Sequence, residues 1–420
     1  MKFIVGFNRK NEKNIDYNLK FILSAILFLL MLVVPTNYML IKFILITLLG
    51  IRLIFCSVNK KLTTINIRVW LILYLIVFKG VFWLFYGVMN GNSVENIKTL
   101  FPFYCIWPLF YLLLFLYVDT WQKFSSFCNL ILYAHAFIVV YNLYSLCSVY
   151  IGVEPISIFQ SDQTFMLEEE IIGISNPSLQ QLVFTTPFLF SILISGKIQG
   201  TKRNIFYVIF SLTIFVMLLS GRGVMILVLL LLPFIPIGII FFSKVYRFSH
   251  FKNMYWGVIL IFFLCLGYTY SSGLQNLIMK SLIDNFDSSI DYTRFSQRTM
   301  LIKMWKEKPL LGHGLAASYY NRDRGYHTAV ESMYHADLAK TGIIGFGLFL
   351  FYLFLIYYYT IKEFQRTNNV YIYACIIGLS FYLLASATNP FLASFDRLFP
   401  IYVCLCIINI GSKNKYLISE

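Results

Sequence analysis

The chain has 420 residues, of which 59% are hydrophobic and 19% aromatic, while charged side chains make up only 13%. With a mean hydropathy of +0.73, it has too little polar surface to coat a soluble globule of this length, which leaves a polytopic membrane protein. The net charge of +15 is not a nucleic-acid signature, because the basic residues sort by loop as membrane topology requires.

A helix needs about 20 mostly apolar residues to cross the hydrocarbon core, and such runs predict an all-α chain of about twelve spans. In order they are Phe21–Val34, Tyr38–Cys56, Ile67–Met89, Phe101–Val118, Phe124–Gly152, Leu179–Ser195, Ile205–Ser220, Val224–Phe242, Met254–Ser272, Ile343–Thr360, Tyr371–Ala387 and Phe391–Ile410. The expected organisation is a tail at 1–20, nine spans over 21–272, one large loop with short amphipathic helices at 273–342, three spans over 343–410 and a tail at 411–420.

Lysine and arginine gather on one side. The N-terminal tail carries Lys2, Arg9, Lys10, Lys13 and Lys20; the loops that fall with it carry Lys60, Lys61, Arg68, Lys197, Lys202, Arg203, Lys244, Arg247, Lys252, Lys362 and Arg366. The short loops opposite hold Lys98, Arg222 and an acidic stretch from Glu154 to Glu170. Basic loops resist export, so both termini are expected in the cytoplasm and the large loop outside. No small-x-small site follows the first apolar run, which predicts an uncleaved anchor. Lys42 and Arg52 are expected to snorkel to the interface, while Lys79 and the Asp396-Arg397 pair are candidates for lining a cavity.

The eight cysteines lie in or beside apolar runs, which points to packing rather than disulfides or zinc. The sequence has no Walker-type glycine loop, which argues against an ATP-driven pump.

Three stretches differ from ordinary connections. Ile171 to Pro177 closes the acidic loop, with Asn176-Pro177 either a turn before a helix or a ligand contact. Ser220-Gly221-Arg222-Gly223 sets an arginine between glycines, suited to a phosphate or to snorkelling toward lipid. The third is the large loop. Ser296 to Trp305 has a capping serine and apolar residues at helical spacing, with Leu301 and Trp305 on the face of Arg298, which predicts an amphipathic helix on the membrane. Pro309-Leu310-Leu311-Gly312-His313-Gly314 then reads as a tight turn, and Glu331 to Gly345 as a helix feeding the tenth span. Within that helix Glu331 and His335 are four apart, which allows either a carboxylate–imidazole pair or a solvated ion pair.

These stretches, in this order against the spans, resemble the O-antigen polymerase and O-antigen ligase superfamily of bacterial envelope proteins. The resemblance runs from about Gly173 to Thr360. Ligases and many polymerases of that superfamily have a His-Asn pair eleven residues before the glycine matching Gly342; here Glu331-Ser332 stands in that place, the form common among capsule and exopolysaccharide polymerases.

The resemblance implies a glycosyltransferase that joins undecaprenyl-diphosphate-linked repeat units on the outer face of the bacterial inner membrane. Ligase activity toward lipid A-core is the sister reading, and a glycolipid transporter or flippase the non-enzymatic one. In the implied reaction arginines stabilise the charged diphosphate, with Arg222, Arg298 and Arg294 as candidates. A base accepts the attacking hydroxyl proton, with Glu331 and His335 as candidates. Asn176, Gly312, His313, Gly314 and Tyr334 shape the loop or contact glycan. No cofactor or metal is expected. Beyond the glycan donor and the bilayer, a chain-length regulator and a flippase are the implied partners, and no nucleic acid.

Overall fold

A computed structural model describes residues 9–58, 65–111, 118–158, 167–168, 171–172, 176–220, 222–242, 292–321, 325–327, 332–389, 391–393 and 395–413. The ninth expected span, Met254–Ser272, lies outside these residues, as do Gly173 to Ser175, Gly221 and Glu331. The described residues are predominantly helical, with two short antiparallel pairings, Leu167–Glu168 with Ile171–Ile172 and Tyr319–Asn321 with Gly325–His327.

Ile67–Met89 matches its apolar run to the residue, whereas the expected spans Phe101–Val118, Val224–Phe242 and Phe391–Ile410 are divided among shorter helical pieces. The helices are α1 (Arg9–Val33), α2 (Met39–Val58), α3 (Ile67–Met89), α4 (Val94–Phe101), α5 (Trp107–Phe110), α6 (Trp121–Tyr150), α7 (Leu182–Ile194), α8 (Gly200–Leu219), α9 (Gly223–Leu231), α10 (Ile235–Phe242), α11 (Tyr292–Glu307), α12 (Met333–Thr367), α13 (Val370–Ala385) and α14 (Phe399–Lys413). Pro35 ends α1, and the chain reverses through Thr36 and Tyr38 at positive φ. Among the described residues five helical segments are long and apolar enough to cross a membrane: Ile67–Met89, Trp121–Val149, Pro177–Ile194, Gly200–Leu219 and Met333–Thr367. Shorter apolar helices accompany them, including Phe21–Val33, Gly223–Gly238, Val370–Ala385 and Phe399–Gly411. This pattern fits a multi-pass membrane protein, with five segments of spanning length against the twelve expected from hydropathy.

Lipid is as apolar as leucine, so such helices associate by close packing and by hydrogen bonds away from water. At the centre α7 is buried along its whole length and lies against α13, where Gly378 admits the ring of Phe184. Polar side chains tie the neighbours. His135 on α6 is fully buried, its Nδ1 2.8 Å from Thr185 Oγ1 on α7 and its Nε2 2.9 Å from Thr213 Oγ1 on α8. Lys42 does not snorkel. It is fully buried, with Nζ 3.0 Å from Asp396 Oδ1 and 2.7 Å from the Val34 carbonyl, because Asp396 of the Phe395–Arg397 turn docks on the α1–α2 turn through the Thr36 amide.

Candidate functional site

The turn predicted at Pro309 to Gly314 is a docking element. Helix α12 breaks at Gly342, whose φ of 63° takes it out of the helical region. A break there frees carbonyls before it and amides after it, and a buried free group is costly. The turn supplies the partners. His313 N donates to Ala339 O at 3.2 Å and Gly314 N to Lys340 O at 2.8 Å, while Ile343 N donates to Pro309 O at 2.9 Å and Ile344 N to Leu310 O at 3.2 Å. The backbones approach so closely that a Cβ on Gly312, Gly314 or Gly342 would strike main-chain atoms. Helix α3 and the turn after it complete the joint: Trp83 Nε1 on α3 donates to Leu311 O at 2.8 Å, and Asn92 Nδ2 in that turn donates to His313 O at 2.9 Å. His313 itself lies 2.8 Å from the Met304 carbonyl through Nε2, so this candidate ties the turn back to α11.

Helix α11 begins at Tyr292, before the expected start, so Ser296 is an interior residue rather than its cap. Leu301, with Met304 and Trp305, packs on Ala336, Ala339 and Tyr319. The apolar stripe expected to meet lipid therefore meets the first turns of α12. That contact positions Arg298, whose Nε donates to Ser332 Oγ at 3.2 Å, and Ser332 is the N-cap residue of α12. Arg298 is also an electrostatic neighbour of His335. His335 Nδ1 is buried with no hydrogen-bond partner among the described residues. Helix α12 starts at Met333; Glu331, the other member of the expected pair with His335, lies outside the described residues. Arg294 sits one turn before Arg298 on α11.

Arg222 is the N-cap residue of α9 and half-buried. Burial and the opposing Arg397 guanidinium both push it down from the ordinary arginine value. A chain of contacts joins this arginine pair to His335. Tyr334, next to His335, donates through its hydroxyl to the Leu383 carbonyl, and the adjacent Tyr382 is an electrostatic neighbour of Arg397. The structure thus places Arg298 with Ser332 and His335 at the start of α12, and Arg222 and Arg397 as electrostatic neighbours on the side of Tyr382 near the end of α13.

Asn176 is elsewhere in role. Its Oδ1 accepts from Ser178 N at 3.0 Å and Leu179 N at 3.2 Å, and its amide donates to Asn142 on α6, so it caps the Pro177–Gln181 turn and is buried. Lys79 has a partner the sequence reading missed: its Nζ lies 2.7 and 2.6 Å from the two carboxylate oxygens of Asp337 on α12. The signal was a lone lysine within a span, which demands a carboxylate in reach. Among the described residues no group of three or more His, Cys, Asp or Glu side chains is placed to hold a metal ion.

No curated protein matches the chain significantly. Residues 206–350, which include Arg222, Arg298, the glycine turn and His335, match the family model described as O-Antigen ligase, and this match supports the O-antigen polymerase and ligase superfamily as the family of the chain.

Proposed function

We propose that this protein transfers a glycan from a polyprenyl diphosphate carrier to a sugar hydroxyl of a second carrier-linked repeat unit, on the exported face of the bacterial inner membrane. The acceptor oxygen attacks the anomeric carbon, the bond from that carbon to the diphosphate breaks, and the carrier diphosphate leaves with the electron pair. Arg298 and Arg222 hold the charge that collects on the leaving oxygens, since a guanidinium keeps its proton and presents a planar fork. Arg294, four residues before Arg298 in the sequence, is the third candidate cation. His335, or Glu331 just before the α12 cap, receives the hydroxyl proton.

The observation that carries this reading is the juxtaposition of Arg298 with His335 at the start of α12, inside the matched stretch. A cation for the leaving group and a proton acceptor for the nucleophile are the two functions such a displacement needs. The buried, unpartnered Nδ1 of His335 supports the acceptor role. Polymerase is favoured over ligase by Ser332, which stands in the Glu-Ser pair and is engaged by Arg298. The ligase reading has its own support in the description of the matched family.

The deciding experiment supplies the purified protein with a lipid-diphosphate-linked repeat unit, with and without lipid A-core. Polymer longer than one unit without lipid A-core is the expected product. Transfer seen only when lipid A-core is present would establish the ligase instead, and no transfer to either acceptor would refute the donor chemistry.

A further inference from the structure

Arg397 ends the short turn Phe395–Arg397 between α13 and α14. The adjacent Asp396 is an electrostatic neighbour of opposite charge, but that carboxylate is already engaged. Its Oδ1 takes the Lys42 ammonium at 3.0 Å and its Oδ2 the Thr36 amide at 2.7 Å, with its side chain only 2% exposed. Arg397 Nε is buried and has no hydrogen-bond partner among the described residues, an arrangement that a ligand, ion or water commonly completes. Arg222 is a like-charged electrostatic neighbour of Arg397. A partly buried guanidinium with an open donor, beside a second cation, suits an anion with several oxygens at different positions, and a diphosphate has that form. Aromatic Tyr382 forms part of the surround, and its hydroxyl is turned to the Phe391 carbonyl at 3.4 Å.

We propose that Arg397 is a further diphosphate-binding residue, gripping the carrier from the side opposite Arg222 with Nε–H as the donor held open for a phosphate oxygen. This rests on the donor reading given under the proposed function. Arg397 lies beyond residues 206–350, so the family match does not assign it.

The test is binding, measured on the full chain in nanodiscs of phosphatidylcholine, with undecaprenyl diphosphate and undecaprenyl monophosphate as probes. The unaltered protein should prefer the diphosphate. Arg397→Gln should weaken diphosphate binding by about tenfold and monophosphate binding far less, as expected for one charge-assisted contact. Arg397→Lys should fall between, because it keeps the charge and loses the fork. Unchanged diphosphate affinity in Arg397→Gln would overturn the inference while leaving the donor reading intact. Absence of diphosphate binding by the unaltered protein would overturn both. Equal loss toward both probes, or displacement of the diphosphate by phosphatidylglycerol in the discs, would assign Arg397 to a lipid headgroup and also overturn it. If Arg397→Gln does not give folded protein, the lysine variant decides: a reduced preference for diphosphate supports the inference, and an unaltered preference sinks it.

Discussion

Arg298 has a partner as well as a charge, and the two make separate predictions. Its Nε donates to Ser332, so under the proposed donor chemistry the terminal nitrogens are the ones that would meet a ligand. Loss of a preorganised donor to a developing oxyanion costs about 100- to 1,000-fold in rate. Arg298→Ala should therefore reduce polymer formation by that order, with the variant still present in the membrane by immunoblot. Ser332→Ala removes only the orienting bond, worth about 1 kcal/mol, so it should lower the rate by roughly tenfold or less and leave donor binding nearly unchanged. A Ser332→Ala variant as impaired as Arg298→Ala would mean that the serine touches substrate itself. His335→Gln separates the two candidate bases: the amide cannot accept and release a proton at this position, so turnover should collapse while diphosphate affinity holds. Retained turnover would hand the role to Glu331.

At the scale of elements, the break in α12 and the turn that repairs it form one joint, and Gly342 is its pivot. A Cβ there meets the Leu310 main chain and also forces a side chain into φ of 63°, so Gly342→Ala should detach the turn from α12. The expected result is loss of activity and a lower thermal midpoint in detergent, while Gly347→Ala, which meets nothing within 4 Å, should match the parent protein. This joint was half legible in the sequence. The glycines of Pro309 to Gly314 announced a turn, and Ile67–Met89 was readable to the residue because an apolar run bounded by asparagines leaves little choice of ends. The docking of turn onto helix was not readable, since it depends on main-chain groups that every residue has. The start of α12 was misjudged for a related reason: helical spacing through Glu331 looked continuous, but the cap falls at Ser332. Lys42 was misread because its partner Asp396 is 354 residues away, a distance over which no local pattern operates.

Over the whole molecule, long-range pairs show which parts of the chain share an end of the helical bundle. Lys79 and Asp337 join α3 to α12 with side chains only 8% and 12% exposed, and removing one partner strands the other as a buried charge. Lys79→Met should destabilise the protein by about 3–5 kcal/mol, and adding Asp337→Leu should recover most of that, since a matched apolar pair is often as stable as the buried ion pair. A double variant still as unstable as the single one would show that the lysine has another role. Other contacts sort into two groups. Thr36 meets Asp396, Asn92 meets His313, Tyr334 meets Leu383 and Arg222 faces Arg397. In the second group Asn66 meets Asn409, Arg68 lies over Tyr359, Lys197 lies over Tyr371 and Arg366 meets Gly411. The second group belongs to the loops where lysine and arginine concentrate, and the first to the sparsely basic ones. Charge sorting and tertiary contact thus divide the loops in the same way, and on the expectation that basic loops resist export the second group would lie in the cytoplasm. Alkaline phosphatase fused after Gly152 or Gly314 should then be active, and fused after Gly196 or Lys413 inactive. The reverse pattern would put Arg222, Arg298 and Arg397 in the cytosol, away from the exported face on which carrier-linked repeat units would have to be joined.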